Sequence, residues 1–313
     1  MKSNITVIHT TTGRWKLGLL LTLTAAMLWG ILPTALKVLA GSLDAISITW
    51  FRLVFAFLIL LGYLSFTKNL PAFTQIRGKY TILLAITCVG LCINYITYVI
   101  GLDIIGPGPA QLIIQLNVVF VILGGIFIFK EQFNRIQAMG LVAIIAGLAL
   151  FFHNKLLILL TSMSEYTFGV LALVVSALAL ACYSLAQKQL LVKLNSLQIS
   201  LVIFGTGALI LLPLTAPTLA DVTQLSGTNL ALLLFCVITT LGAFGSYAEA
   251  LQHWETTKIS AVLSTVPLFS LGFAEFVIYL NPGLFSIEPV SILHLAGALI
   301  LVLGSYLIVR KNV

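Results

Sequence analysis

Charge is the scarcest thing in this sequence. Of 313 residues, 8% are Asp, Glu, Lys or Arg, where a soluble globular domain carries about 25%. A water-soluble fold of this length needs far more charged surface, which excludes an ordinary soluble enzyme, a disordered chain and a collagen-like one. Cysteine is sparse too. Cys88, Cys92, Cys182 and Cys236 all stand inside apolar stretches, and no His or second Cys pair completes a zinc set, so they read as buried thiols without a metal site or disulfide framework. A Walker A loop, a GxSxG, an HExxH and paired-carboxylate spacing are all missing. ATP-driven transport by this chain alone is therefore unsupported, and no cofactor is implied. The four histidines, His9, His153, His253 and His294, are scattered, which argues against a membrane-embedded enzyme. The connecting segments are short, which argues against a scaffold or sensor built around a soluble segment.

Apolar residues fill the space: 60% of the chain is hydrophobic and the mean hydropathy is +1.14. Barrel strands would alternate over about 10 residues, whereas these runs are continuous and reach the roughly 20 residues a membrane helix needs. Ten of them predict transmembrane helices: Leu17–Leu39, Ala45–Phe66, Tyr80–Leu102, Pro107–Phe129, Ile136–Phe152, Tyr166–Leu190, Leu197–Thr215, Leu230–Leu251, Ile259–Leu280 and Ser291–Val309. The first is longer than the apolar core of a signal peptide and nine more follow, so it reads as an uncleaved membrane helix. The apolar loop Leu156–Met163 is suited to the interface.

The net charge is +7, and its placement carries the information. With the N-terminus inside, thirteen Lys and Arg fall on cytoplasmic segments, Lys37 and Lys155 lie opposite, and Arg52 lies within a span. That asymmetry predicts cytoplasmic N- and C-termini and accounts for the basic charge without nucleic acid.

The chain also resembles itself. A shift of 151 positions lays Gly18 on Gly169, Ala26 on Ala177, Lys37 on Lys188 and Leu39 on Leu190. A shift of 149 lays Tyr98 on Tyr247, Leu102 on Leu251 and Phe120 on Phe269, and a shift of 157 lays Gly140 on Gly297 and Gly147 on Gly304. The expectation is two repeats, residues 1–159 and 160–313, of five helices each. An odd count makes the second repeat enter the membrane from the opposite side, which relates the halves by a two-fold axis in the membrane plane. Many secondary transporters share that plan, with substrate held near the midplane.

Trp29-Gly30 with Pro33, Gly101-Leu102 before Pro109-Ala110, and Lys130-Glu131 followed by Gly140 and Gly147 form one ordered set of motifs. Ala181-Cys182-Tyr183, Tyr247-Ala248 with Ala250-Leu251, and Val266-Pro267-Leu268-Phe269 form its second-half counterpart. Across nearly the whole chain this pattern resembles the EamA-domain members of the drug/metabolite transporter superfamily. Val118 stands where the ninth helix has Pro267, and Asn281-Pro282 replaces the glutamate that usually follows that helix. The resemblance implies ten helices and alternating access by two five-helix halves, but no particular substrate. It also implies that helices one, three, four, six, eight and nine line a central cavity. Trp29, Asn94, Tyr98, Gln111, Gln115, Tyr183, Tyr247 and Ser264 lie on those helices and form the expected substrate-binding set. The structural reading of each is interhelical bonding, because polar groups in hydrocarbon must find partners. Tyr98 and Tyr247, coincident under the repeat shift, are expected to face each other.

Ionisable residues at membrane depth are functional candidates in their own right. Lys37, at the outer end of the first helix, is suited to snorkel to the headgroups. For Arg52 two readings are open: a salt bridge to Asp44 or Glu275, or a seat for an anionic substrate group. Glu249 is either a proton or amine site or a plain partner of His253. Glu275 is either a coupling acid or a partner of Arg52 or Lys37. Pro33, the run Gly106-Pro107-Gly108-Pro109, and Pro267 weaken the helical ladder and mark hinges or packing kinks. The combined expectation is a multi-pass protein of a bacterial inner membrane, surrounded by the lipid bilayer. It would be a secondary active exporter of a small polar metabolite such as an amino acid, driven by protons or a counter-substrate. A membrane-embedded enzyme, or a channel acting on a lipid-like or ionic substrate, is the alternative.

Overall fold

The computed structural model describes residues 9–39, 42–72, 76–105, 110, 113–151, 153, 165–215, 225–280 and 291–310, with no strand among them. Gln111, the run 106–109 and the loop Leu156–Met163 lie outside the described residues. Eleven α-helices are present among the described residues: α1 (Trp15–Leu39), α2 (Ala45–Phe66), α3 (Lys79–Ile105), α4 (Leu116–Phe129), α5 (Arg135–Phe151), α6 (Glu165–Leu190), α7 (Ser196–Leu211), α8 (Gly227–His253), α9 (Thr256–Leu263), α10 (Val266–Leu280) and α11 (Ile292–Val309). Helices α9 and α10 together form one crossing. Eight crossings are long and apolar enough to span a membrane, and α4 and α5 are shorter apolar helices of 14 and 17 residues. The fold is thus all-α and integral to the membrane, with ten helical segments in two inverted five-helix repeats.

Helix ends are secured locally where the sequence supplies short polar side chains. Asp44 accepts from the Ser47 N–H at the start of α2, and Asn195 with Gln198 and Ser291 with His294 form capping boxes on α7 and α11. These contacts satisfy backbone donors that no helical carbonyl reaches.

The packing follows the two-fold relation helix by helix. α3 lies against α6, and its counterpart α8 lies against α1; α4 lies against α6, and the α9–α10 pair lies against α1. α2 meets α7, α4 meets α9 and α5 meets α11, each its own repeat equivalent. The main contacts of every helix therefore run to the other repeat, and the halves interdigitate.

Glycine makes these contacts close. A Cβ on Gly140 would sit 2.7 Å from the Gly304 carbonyl oxygen, and one on Gly304 would sit 2.7 Å from that of Gly140. Gly147 and Gly297 repeat this reciprocal arrangement one contact along, which runs α5 and α11 antiparallel as inversion requires. Lipid is as apolar as leucine, so such backbone approach supplies packing that hydrophobic burial does not.

Substituting Gly297 tests this seam. Its Cβ would lie 2.5 Å from the Phe151 backbone nitrogen, whereas one on Gly62 meets nothing within 4 Å. Gly297→Ala is expected to destabilise by about 1–3 kcal/mol, and Gly62→Ala to leave the melting temperature of the detergent-purified protein unchanged or raised.

Candidate functional site

The helical ladder breaks at two equivalent places. Helix is interrupted at Gln115 just before α4, and at Ser264-Thr265 between α9 and α10; a shift of 149 lays Gln115 on Ser264. Gln115 is buried. In the ninth crossing, Pro267 lacks an N–H and cannot bond back to Leu263. Hydroxyls repair the site: Ser264 and Ser305 both donate to the Ala261 carbonyl, at 2.7 and 2.6 Å, and Thr265 donates to Val262 at 2.6 Å. Paired interruptions in corresponding segments are the arrangement that exposes backbone dipoles to a substrate near the midplane. Pro33, by contrast, lies inside an unbroken α1.

Beside the second break, packed with Val262 and Leu263, lies an aromatic cluster. Trp29 on α1 packs its ring 5.4 Å from Phe244 and 5.5 Å from Tyr247 on α8. Tyr183 on α6 stacks on Tyr247 at 6.5 Å, and Phe204 on α7 meets Phe244 edge-on at 5.8 Å. The Tyr183 hydroxyl and both polar atoms of Gln187, one turn further along α6, are buried without a hydrogen-bond partner of good geometry. Trp29, Tyr183 and Tyr247 are thus the expected site residues that the structure brings together. Phe204 and Phe244 join them unanticipated, because an isolated Phe in an apolar run carries no signal.

Arg52 on α2 is 4% exposed, seven residues or about 10 Å into its helix. Its Nε–H donates to Thr240 Oγ1 at 2.8 Å, and the Thr240 hydroxyl in turn donates to the Cys236 carbonyl at 2.6 Å. No carboxylate forms an ion pair with Arg52 among the described residues. Asp44 is occupied as the α2 cap, and Glu275 stands on an exposed face of α10.

The other expected residues disperse. Asn94 joins α3 to α6, donating to the Ser176 hydroxyl at 2.8 Å and accepting the Ser176 hydroxyl on its own carbonyl at 3.0 Å. Glu249 accepts from the Ser196 hydroxyl and lies 3.2 Å from His253 Nε2. Tyr98 packs with Ile105, Leu173 and Tyr166, in a different cluster from Tyr247. The two tyrosines do not face each other, for a geometric reason. An in-plane two-fold axis inverts depth, so Tyr98 near the end of α3 and Tyr247 near the end of α8 lie on opposite sides of the midplane.

At the face that carries the termini, Glu131 binds three elements together. Its carboxylate accepts Lys188 Nζ at 2.6 Å and the Thr256 and Thr257 backbone N–H groups at 2.8 and 2.9 Å, along with the Thr257 hydroxyl. Lys188 also donates to Thr256 and lies over the Phe129 ring at 4.4 Å. Both charged side chains are under 10% exposed. Burial alone would push the Glu131 carboxyl up; the Lys188 ammonium and the Thr257 hydrogen bonds outweigh it and hold the carboxyl below the ordinary glutamate range. The N-terminal segment closes over this network, with the His9 N–H donating to Gln189 and Thr12 meeting Gln252 and His253. In sequence Glu131 stands in the Lys130-Glu131 motif and Lys188 near the end of the sixth predicted helix, and no pairing between them is expected.

An inverted pair of five-helix repeats, broken at repeat-equivalent points within their membrane crossings, fits a membrane transporter fold. The match to known proteins makes this specific. The EamA-like transporter family matches twice, over residues 16–153 and 167–310, and the chain belongs to that family. It is 34% identical to a protein of Haemophilus influenzae named "Uncharacterized transporter", over 93% of this chain and 94% of that one. It is 33% identical to the Escherichia coli K12 protein named "Uncharacterized inner membrane transporter YhbE", over 92% and 90%. A "Probable amino-acid metabolite efflux pump" of Salmonella typhimurium is 24% identical over 64% of this chain and 66% of its own length. A solved crystal structure superposes with a TM-score of 0.72 at 16% identity, covering 94% and 97%, which shows the shared fold. The chain is accordingly a multi-pass membrane transporter for a small molecule.

Two outcomes test the terminus-face clamp. Glu131→Gln strands a buried ammonium and is expected to cost about 3–5 kcal/mol, with most of it recovered in Glu131→Gln/Lys188→Met. Because the folded carboxyl titrates below its unfolded value, its stabilisation is complete above about pH 4.3 and is lost as pH falls through the folded value. Melting curves of the wild type should show this acid loss, and those of the double variant should lack it. The second outcome concerns His9, whose imidazole burial, and then the Lys188 ammonium, hold down to about 4. Docking of the N-terminal segment is then favoured above about pH 6.5 and weakens toward the folded value. A spin label at Thr11 should gain mobility between about pH 7 and pH 5 in the wild type, and not in His9→Ala.

Proposed function

We propose that this protein exports a small polar metabolite of the amino-acid class by alternating access, coupled to protons or to exchange. The observation that carries the reading is the pair of helix interruptions at Gln115 and Ser264 in repeat-equivalent positions. Substrate would sit between the halves, against Trp29, Tyr183 and Tyr247 on one side and the interrupted helices on the other. The remaining expected residues, Asn94, Tyr98 and Gln111, belong to the same proposed set as wall or support.

The terminus-face clamp supports an alternating cycle. Glu131 and Lys188 come from different repeats, and the repeat equivalent of Glu131 under the 149 shift is Leu280. That position has no carboxylate with which to repeat the clamp on the far face. Breaking the clamp while the far side closes would move access from one face to the other. The Salmonella relative's name supports the amino-acid class and the outward direction, and the E. coli relative's name supports an inner-membrane address. The excess of Lys and Arg on one set of segments supports cytoplasmic termini.

The test is efflux from cells or proteoliposomes preloaded with labelled amino acids, with and without an imposed pH gradient. Saturable efflux is expected, reduced at least tenfold in Trp29→Ala and Tyr247→Ala while both still reach the membrane. Flux that rises linearly with concentration and ignores both substitutions would favour a channel and sink the carrier reading.

A further inference from the structure

We infer that Arg52 is the seat of a substrate carboxylate, and that the protein takes ligands carrying a single carboxylate next to an apolar or ammonium-bearing body. This rests on the transport reading and names its substrate class. A buried charge is costly unless it is paired and hydrogen-bonded. Arg52 is 4% exposed, and its Nε–H bonds to one neutral hydroxyl, that of Thr240. Among the described side chains, none of the carboxylates forms an ion pair with it: Asp44 caps α2, Glu131 holds Lys188, Glu249 meets Ser196 and His253, Glu255 holds Lys258, and Glu275 is exposed on α10. None of the described carboxylates thus supplies the counter-charge, which a ligand can bring.

The geometry also selects the kind of anion. Thr240 is anchored by its own bond to the Cys236 carbonyl and engages the Nε edge of the guanidinium. That leaves the two terminal nitrogens as the free edge, a planar fork that matches the two oxygens of a carboxylate. One cation balances one negative charge. A doubly charged phosphate would leave a net charge buried, so a carboxylate is favoured over a phosphate. Tyr247 follows Thr240 by seven residues, about 10 Å, along α8, so the rest of the ligand would extend toward Trp29, Tyr183 and Tyr247, aromatic rings that suit an apolar body or an ammonium by cation–π attraction. No carboxylate is then required for the amine, and Glu249 and Glu275 have no part in binding it.

Matched probes separate the ligand groups. Phenylalanine, 3-phenylpropionate, phenethylamine and inorganic phosphate would be tested by thermal shift on the whole purified protein, together with leucine, 4-methylpentanoate and isoamylamine. The compounds with a single carboxylate are expected to stabilise the wild type, and the amines and phosphate are not. Arg52→Gln should weaken carboxylate binding at least tenfold, with Arg52→Lys intermediate because it keeps the charge without the fork. Without ligand, Arg52→Gln and Arg52→Met should melt no lower than the wild type, since each removes an uncompensated buried charge. A lower ligand-free melting point in both would make Arg52 structural and overturn the inference. Carboxylate binding or efflux that survives Arg52→Gln, or binding that follows the amine or phosphate, would overturn it while leaving the transporter reading standing. If no probe binds or is carried by the wild type, the amino-acid reading falls with it.

Discussion

A helix in hydrocarbon gains little by hiding apolar side chains from lipid, so a membrane bundle must be held by close backbone approach and a few polar links. The whole structure depends on that constraint. The α5–α11 seam meets it with reciprocal glycines, Gly140 against Gly304 and Gly147 against Gly297. The α3–α6 seam meets it with Gly90, Gly101 and Gly169 and with the Asn94–Ser176 bonds. Each polar link of this kind is worth only about 0.6 kcal/mol, so backbone proximity along whole helices must carry most of the stability. Because the partner helix always belongs to the other repeat, folding and the arrangement of the two halves are one problem.

The buried charges break the symmetry that the packing keeps. Lys188 is neutralised by Glu131 and roofed by Phe129, and the same carboxylate starts α9 by capping Thr256 and Thr257. Glu249 meets His253 and the Ser196 hydroxyl at the terminus-bearing end of α8, and Thr12 from the N-terminal segment bonds the other ring nitrogen of His253. Arg52 has neither solution among the described residues. Two repeats that pack alike thus present unlike electrostatics, with a clamp at one face and an uncompensated cation deeper in. A symmetric bundle with identical faces would have no reason to prefer one access direction. The asymmetry sits in a few side chains because the backbone contacts tolerate little change.

Much of this was legible in the chain itself, for particular reasons. Nine of the ten segments start within about three residues of expectation, because an apolar run in lipid leaves the backbone no alternative to helix. The ninth crossing shows the limit. Glu255-Thr256-Thr257-Lys258 reads as polar loop, yet α9 begins at Thr256 because a carboxylate 125 residues away supplies its cap. The interruption at Gln115 was equally hidden, since nothing in Ile114-Gln115-Leu116 opposes helix locally. Of the expected site residues, Trp29, Tyr183 and Tyr247 converge, and Asn94 bonds to its neighbouring helix instead.

Composition and periodicity determined that the chain is a membrane bundle, how many times it crosses and that its second half inverts the first. These follow from the cost of polar backbone in lipid and from the parity of a five-helix repeat, neither of which requires knowing what touches what. The tertiary structure alone decided which charges are spent on one another. Pairing depends on distances across the bundle, and residues equivalent by repeat, such as Tyr98 and Tyr247, are carried to opposite depths by the axis that relates them. That no described carboxylate pairs with Arg52 is visible only once the helices that carry them have been placed.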